Sequence, residues 1–260
     1  MGIRTDNATS LYLEAIRDGN YIEAITTYAG ERYTQHSTPV KDGPDGFIEF
    51  FADFVERNPV RDIEIVRSWE DGKYVFLHVV QILNDGEFRY VTADIFDTDD
   101  QGRLIEHWDM ITEWIEPTVS GRSQVDGPTE PTDLDKTEAN KALVRNFVDD
   151  VLVAGGFDRI ADYVSVEAFH QHNPEIGDGV DGYLAYVEQL ASNGTPIAYE
   201  DIHLVIGCGD FVAVLAQLRR GDQQVAVIDL FRVAADKIVE HWSVKEDILP
   251  EAQWANSGKF

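Results

Sequence analysis

The sequence contains a single cysteine, Cys208, among 260 residues, which excludes an intrachain disulfide and a zinc–thiolate framework. Basic side chains are also scarce: 21 Lys and Arg stand against 48 Asp and Glu, a formal charge of −27. Such an excess repels phosphate backbones and anionic lipid, so neither nucleic acid nor a membrane is expected as a partner. No apolar run approaches the roughly 20 residues needed to cross a bilayer. The opening MGIRTDNATS lacks the charged and apolar regions of a secretory signal, and a cytoplasmic protein is expected. Also missing are a phosphate-cradling glycine loop, a dinucleotide fingerprint and a nucleophile elbow. None of the seven lysines lies in a run that marks a buried Schiff-base former. No cofactor is expected, and cofactor-free proton chemistry is what remains.

What is present is enough to build globular cores, with 43% apolar and 11% aromatic residues. The chain also repeats itself. Tyr33-Thr-Gln-His36-Ser-Thr-Pro39 followed by Gly43-Pro-Asp45-Gly46-Phe47 returns as Phe169-His-Gln-His172-Asn-Pro174 followed by Gly179-Val-Asp181-Gly182-Tyr183, 136 positions later. Asp94-Ile-Phe96 returns as Asp229-Leu-Phe231, and Ile105-Glu-His107-Trp108 as Val239-Glu-His241-Trp242, the offset drifting only to 135 and 134. Three motifs kept in order at nearly constant spacing mark a tandem duplication. A stretch rich in Gly, Pro, Ser and Thr separates the copies and reads as a linker. The expected domains are residues 1–118 and 136–260, joined by 119–135.

Both copies share one grammar. In copy one a helical stretch through Leu11 to Ile16 stops at Gly19. Asn20 opens a second helix with Glu23 at the capping-box position, and Asp45 caps a third whose Phe47, Ile48, Phe51, Phe54 and Val55 recur at helical spacing. Four strand-like runs follow, 61–69, 73–83, 88–97 and 103–116, divided by turn signals such as Asp71-Gly72 and Asp85-Gly86. Copy two repeats this with helices over 137–153, 157–163 and 181–190, and strands starting near Ile197, Phe211, Val225 and Ile238. The expected fold class is α+β, three helices packed on a curved antiparallel sheet, in two tandem copies.

Strand alternation decides which side chains meet. On the last strand of copy one His107 and Asp109 share a face, and on the preceding strand Tyr90, Thr92, Asp94 and Phe96 share another. An acid among aromatic neighbours has its charged form disfavoured by burial. The candidate site residues are therefore His36, Asp94, His107 and Asp109, with His172, Asp229 and His241 in the second copy. His36 before a near-adjacent proline has a competing role as a turn-stabilising hydrogen bonder, and Asp109 a competing role as the group that fixes the His107 tautomer. His170, His172 and His241 are the one set of imidazoles that can approach a metal, but copy one has Thr34 where copy two has His170, and no metal is expected.

The ordered run of Tyr33 to Pro39, Gly43 to Gly46, Ala93-Asp94-Ile-Phe96 and Gly102-Arg-Leu-Ile-Glu106-His107-Trp108-Asp109 resembles the SnoaL-like polyketide cyclases of the nuclear transport factor 2 superfamily. It covers nearly all of copy one and, more loosely, copy two. The resemblance implies a cone-shaped domain and cofactor-independent acid/base chemistry on a small, largely apolar carbonyl compound, of aldol-condensing cyclase or isomerase type. In such proteins an acid on the late strands does the proton transfer, and Asp94 and Asp109 are the two positions that match it. A noncatalytic small-ligand binder and a sheet-mediated interaction module stay open as alternatives. An epoxide-opening Asp-Arg-Asp set is disfavoured, because Arg89 has parity opposite to Asp94.

Copy two carries Ser243 where copy one has Asp109, so an unequal pair is expected, with copy one active. Strands such as 75–79, where Val75, Leu77 and Val79 alternate with Tyr74, Phe76 and His78, are apolar on both faces. Proteins of this resemblance are commonly dimers, so the two domains are expected to pair with each other through those faces, with further homo-oligomers left open.

Overall fold

The structure is a computed structural model that describes residues 2–260. The chain forms two compact units, one running to Glu113 and including Leu249–Phe260, the other spanning Trp114–Ile248. In the first unit, helix α1 (Ile3–Leu11) continues as a wider π-turn over Tyr12–Arg17 and stops at Gly19, whose φ of +77° suits glycine. Helix α2 (Tyr21–Tyr28), strand β1 (Ala29–Gln35) and helix α3 (Gly43–Arg57) follow, then β2 (Arg61–Asp71), β3 (Tyr74–Leu83), β4 (Phe88–Thr98) and β5 (Leu104–Glu113). The helices bury Leu11, Ile16, Ile25, Phe47 and Phe51 against Val75, Leu77, Val79 and Phe96 of the sheet. Burying each of the larger side chains contributes roughly 1.5–3 kcal/mol.

The α+β class and the duplication stand, but the sheet is mixed rather than antiparallel. Strand order is β1-β5-β4-β3-β2. β2 to β5 form the expected antiparallel meander, and β1, read from sequence only as an extended piece around His36, joins the edge parallel to β5. It was hidden because Ala29-Gly-Glu-Arg-Tyr-Thr-Gln has little β-branched content, so tertiary pairing rather than local propensity makes it a strand. Helix α3 also starts earlier than Asp45. Asp42 is its N-cap residue, and its Oδ1 accepts a 2.8 Å bond from the Gln35 amide instead of capping the helix.

The second unit repeats the plan: α4 (Thr137–Phe147) with a π-turn over Val148–Val153, α5 (Ile160–Tyr163), β6 (His170–Gln171), α6 (Gly179–Ser192), then β7 (Ile197–Cys208), β8 (Phe211–Arg220), β9 (Gln223–Ala234) and β10 (Lys237–Asp247). Its sheet order is β6-β10-β9-β8-β7, again with the first strand parallel to the last. Asp178 mirrors Asp42, accepting a 2.9 Å bond from the Gln171 amide. Among the described residues no helix is long and apolar enough to cross a membrane.

The unit boundaries differ from the domain limits read at 118 and 136. The linker is built into the second unit, where Val119 donates to the Pro174 carbonyl at 3.0 Å and the Trp242 indole donates to the Asp126 carbonyl at 3.0 Å. The closing segment Leu249–Phe260 is built into the first, where Ala255 donates to the Thr38 carbonyl at 2.8 Å and Asn256 to the Ser37 and Val40 carbonyls at 2.7 and 2.8 Å. Both segments are held by hydrogen bonds to backbone carbonyls, which leave no apolar periodicity to read.

Candidate functional site

The parallel pairing of β1 with β5 sets Gln35 beside His107, and the antiparallel pairing of β4 with β5 sets Asp94 beside Asp109 and Phe96 beside His107. His107 is held between two oxygens, with Nδ1 3.0 Å from Gln35 Oε1 and Nε2 2.9 Å from Asp94 Oδ1, and its ring stacks on Phe96 at 4.3 Å. Asp94 is fully buried at 0% exposure. The Tyr12 hydroxyl, delivered by the π-turn, donates to its carboxylate at 3.0 and 3.1 Å, and the Thr92 hydroxyl donates at 2.8 Å. Burial pushes the Asp94 carboxyl above its ordinary value, with His107 pulling the other way.

In front of this group lies a cavity of about 100 Å³ walled by Phe47, Phe50, Phe51, Phe54 and Leu11, with Tyr33, Gln35, Gln81, His107 and Asp109 as its polar lining. The apolar wall with a few converging polar groups has the form of a small-molecule site. Asp109 is 6% exposed. Burial alone would raise its carboxyl, but the Lys259 ammonium, then His107 and the Ser37 hydroxyl, outweigh it and hold the group below the usual carboxylate range. Lys259 Nζ donates to Asp109 Oδ1 at 3.4 Å and is itself 3% exposed. No sequence motif marks this lysine, which arrives from the segment Leu249–Phe260, far from Asp109 along the chain. Asp94, His107 and Asp109 bring ligand-type atoms within 4.8 Å of one another. Hydrogen bonds from Tyr12 and Thr92, the Gln35 contact and the Lys259 charge already engage those atoms, so a metal ion there would have to displace them.

Asp94, His107 and Asp109 are thus brought together as their parity implied. His36 is not among them. It follows Gln35, whose side chain faces the cavity, so alternation turns His36 to the other side of β1. There it lies with Nε2 3.0 Å from Glu106 Oε1 and Nδ1 2.8 Å from the Gly258 carbonyl, stacked on Trp108 at 4.9 Å. The competing role assigned to Asp109, fixing the tautomer of His107, belongs by distance to Asp94 and Gln35.

The second unit keeps the inner group and changes what stands in front of it. His241 lies 2.9 Å from Gln171 Oε1 and 3.0 Å from Asp229 Oδ1. A phenol again serves the acid, but from β7: the Tyr199 hydroxyl donates to Asp229 Oδ2 at 2.6 Å. His172 mirrors His36, between Glu240 at 2.9 Å and the Ser123 carbonyl at 2.7 Å, stacked on Trp242 at 4.6 Å. His170 faces Asp178 at 3.7 Å, so the three imidazoles weighed as metal ligands each answer to a different acid. Ser243, paired with Asp229, replaces Asp109. The Ser123 and Gly258 carbonyls take equivalent places beside the two histidines. Tyr183, Tyr186, Tyr199 and Leu218 pack together as core.

Several of these residues were missed by sequence reasoning. Gln35 and Gln171 were within reach, since the pair Gln-His recurs in both copies, as were Glu106 and Glu240 in the repeated Glu-His-Trp. Tyr12, Tyr199 and Lys259 carry no repeat signal at all.

The comparisons with known proteins agree with the fold. The SnoaL-like domain family matches residues 10–107 and again 144–241. No match was found among curated proteins. Solved structures similar to part of the chain include a protein described as a polyketide cyclase from Bacillus cereus, 18% identical, covering 42% of this chain and 74% of its own, with a TM-score of 0.38. Another, described as a ketosteroid isomerase from Kribbella flavida, is 16% identical and covers 44% of this chain and 83% of its own, with a TM-score of 0.38. A third, described as a SnoaL-like polyketide cyclase from Shewanella denitrificans, is 17% identical, with coverage of 43% and 92% and a TM-score of 0.37. With the family matched twice, over well more than half of its length, the chain belongs to the SnoaL-like domain family as a tandem pair.

Proposed function

We propose that the first unit is a cofactor-independent acid/base catalyst acting on a small, largely apolar carbonyl compound, of aldol-condensing cyclase or isomerase type, with Asp109 as the base. The observation that carries this is a single one: a 6% exposed carboxylate, facing the Lys259 ammonium, that lines an aromatic cavity. Asp109 takes the proton from the carbon beside the carbonyl, the C–H electron pair becomes the enolate, and the carboxylic acid returns the proton to the new alkoxide or to a second carbon. Asp94 is the less suitable base, because Tyr12, Thr92 and His107 already bond its oxygens and it does not line the cavity. The Asp94–His107 pair instead holds the floor of the site in one arrangement, and the Gln35 and Gln81 amides supply neutral polar contacts.

The second unit, with Ser243 in place of the base, is proposed to be catalytically silent. The test is hydrogen exchange at the α-carbon of small aryl ketones and cyclic β-diketones in D2O, followed by proton NMR. Asp109→Asn should slow protein-catalysed exchange by about 10²-fold or more. Exchange at the buffer rate with the wild-type protein, or equal rates in Asp109→Asn, refutes the enzyme reading; binding of the ketones without exchange favours a noncatalytic binder.

A further inference from the structure

Tyr33 lines the same cavity and is only 2% exposed. Among the described residues no group hydrogen-bonds its hydroxyl. A buried, unpaired donor costs stability that natural structures normally avoid. The two copies show that the fold does not need it. The ring of Tyr33 stacks on His107 with centroids 6.5 Å apart, and Phe169, its counterpart, stacks on His241 at 6.5 Å. The stack on the histidine is alike in both units, with interplanar angles of 18° and 22°, and the oxygen adds nothing to it. That oxygen is present in the copy that has Asp109 and absent from the copy that has Ser243.

We propose that the Tyr33 hydroxyl is the hydrogen-bond donor that receives the oxygen of a carbonyl ligand in the first unit's cavity, which the Asp109 carboxylate also lines; this rests on the carbonyl reading of that cavity. Burial, then the negative charges of Asp109 and Asp94, hold the phenol far above its ordinary titration range, so it stays a donor at any working pH. A donor fixed before the ligand arrives needs no reorganisation as charge develops on an enolate oxygen. The cost of leaving it unpaired in the free protein is the counterpart of that readiness.

The experiment has two arms. In the first, acetophenone and α-methylstyrene, which replaces the carbonyl oxygen by a methylene of similar shape, are titrated into the full chain and followed by amide NMR. The wild-type protein should prefer the ketone by about tenfold, the worth of one hydrogen bond, and Tyr33→Phe should abolish the preference. In the second arm no ligand is present. Tyr33→Phe should raise the melting temperature of the first unit by roughly 3–10 °C, because it removes an unpaired buried hydroxyl while keeping the ring. A Tyr33→Phe protein that still prefers the ketone, or that melts below wild type, overturns the proposal. A wild-type protein that takes up neither probe counts against the carbonyl reading of the cavity, while the melting arm still decides Tyr33.

Discussion

Tyr12→Phe is the substitution whose outcome the geometry determines most directly. The phenol donates to both oxygens of Asp94 at 3.0 and 3.1 Å, meets the Thr92 hydroxyl at 3.0 Å and accepts from the Gln81 amide at 3.4 Å. Phenylalanine keeps the ring, so no cavity opens beyond the volume of one oxygen. What is lost is a hydrogen bond to a buried acid, worth about 1.5–3 kcal/mol when the acceptor is charged. Asp94 keeps the Thr92 and His107 contacts, which places the expected loss near the middle, about 2 kcal/mol. For a unit of this size that lowers the melting temperature by roughly 6–10 °C. Calorimetry of the full chain at neutral pH is the assay, with Tyr199→Phe, which removes the 2.6 Å bond to Asp229, as the matched change in the second unit. A double-mutant cycle with Asp94→Asn isolates the pair. A loss below about 0.5 kcal/mol, or additive losses in the cycle, would show that the phenol does not support the acid and would refute the reasoning.

Lys259→Met should raise the pH at which Asp109 titrates, followed by carboxyl carbon NMR, whereas Lys259→Arg should keep it low; no movement in the Met variant would mean that the ion pair does not set the charge of Asp109. The sign for stability follows from the same pair: the folded-state value of Asp109 lies below 3.8, so its contribution is fully present above 3.8 and is lost as the pH falls through the folded value, and Asp109→Asn should remove that part of the acid dependence. Asp94 works oppositely, its folded value lying above 3.8, so its burial cost is present at neutral pH and is relieved on acidification. Gly258→Ala should cost about 1–3 kcal/mol, because the residue sits at φ +115° and a Cβ would lie 2.6 Å from the Trp254 ring; faster amide exchange over 255–260 would locate the damage. Ser243→Ala should leave ketone exchange unchanged where Asp109→Asn slows it by about 10²-fold or more, and equal losses would overturn the proposed inequality of the copies. Pairing of the two domains through the apolar faces of their sheets remains a proposal, to be tested by cross-linking between cysteines placed at Phe76 and Ala213, which lie on the sheet faces turned away from the helices.

The repeat, the fold class and the partnership of Asp94, His107 and Asp109 were legible from the sequence because each rests on a local rule. Motifs recur at a near-constant offset, helices show their apolar period, and alternation along a strand decides which neighbours share a face. Alternation also held the means to exclude His36: once Ala29–Gln35 is known to be a strand, Gln35 faces the cavity and His36 cannot. That strand was hidden because its residues have no strong β propensity, and only the edge of β5 makes it one. Three features belong to the tertiary structure alone. The π-turn over Tyr12–Arg17 aims a phenol at Asp94, and a phenol from β7 does the same work at Asp229, so no sequence alignment of the copies could pair Tyr12 with Tyr199. Lys259 reaches Asp109 through 150 positions of chain, a closure that depends on hydrogen bonds to backbone carbonyls from a segment without periodicity. The idle hydroxyl of Tyr33 is the last: whether a phenol has a partner is a matter of which oxygens and nitrogens surround it in space, and the order of residues along the chain does not encode that directly.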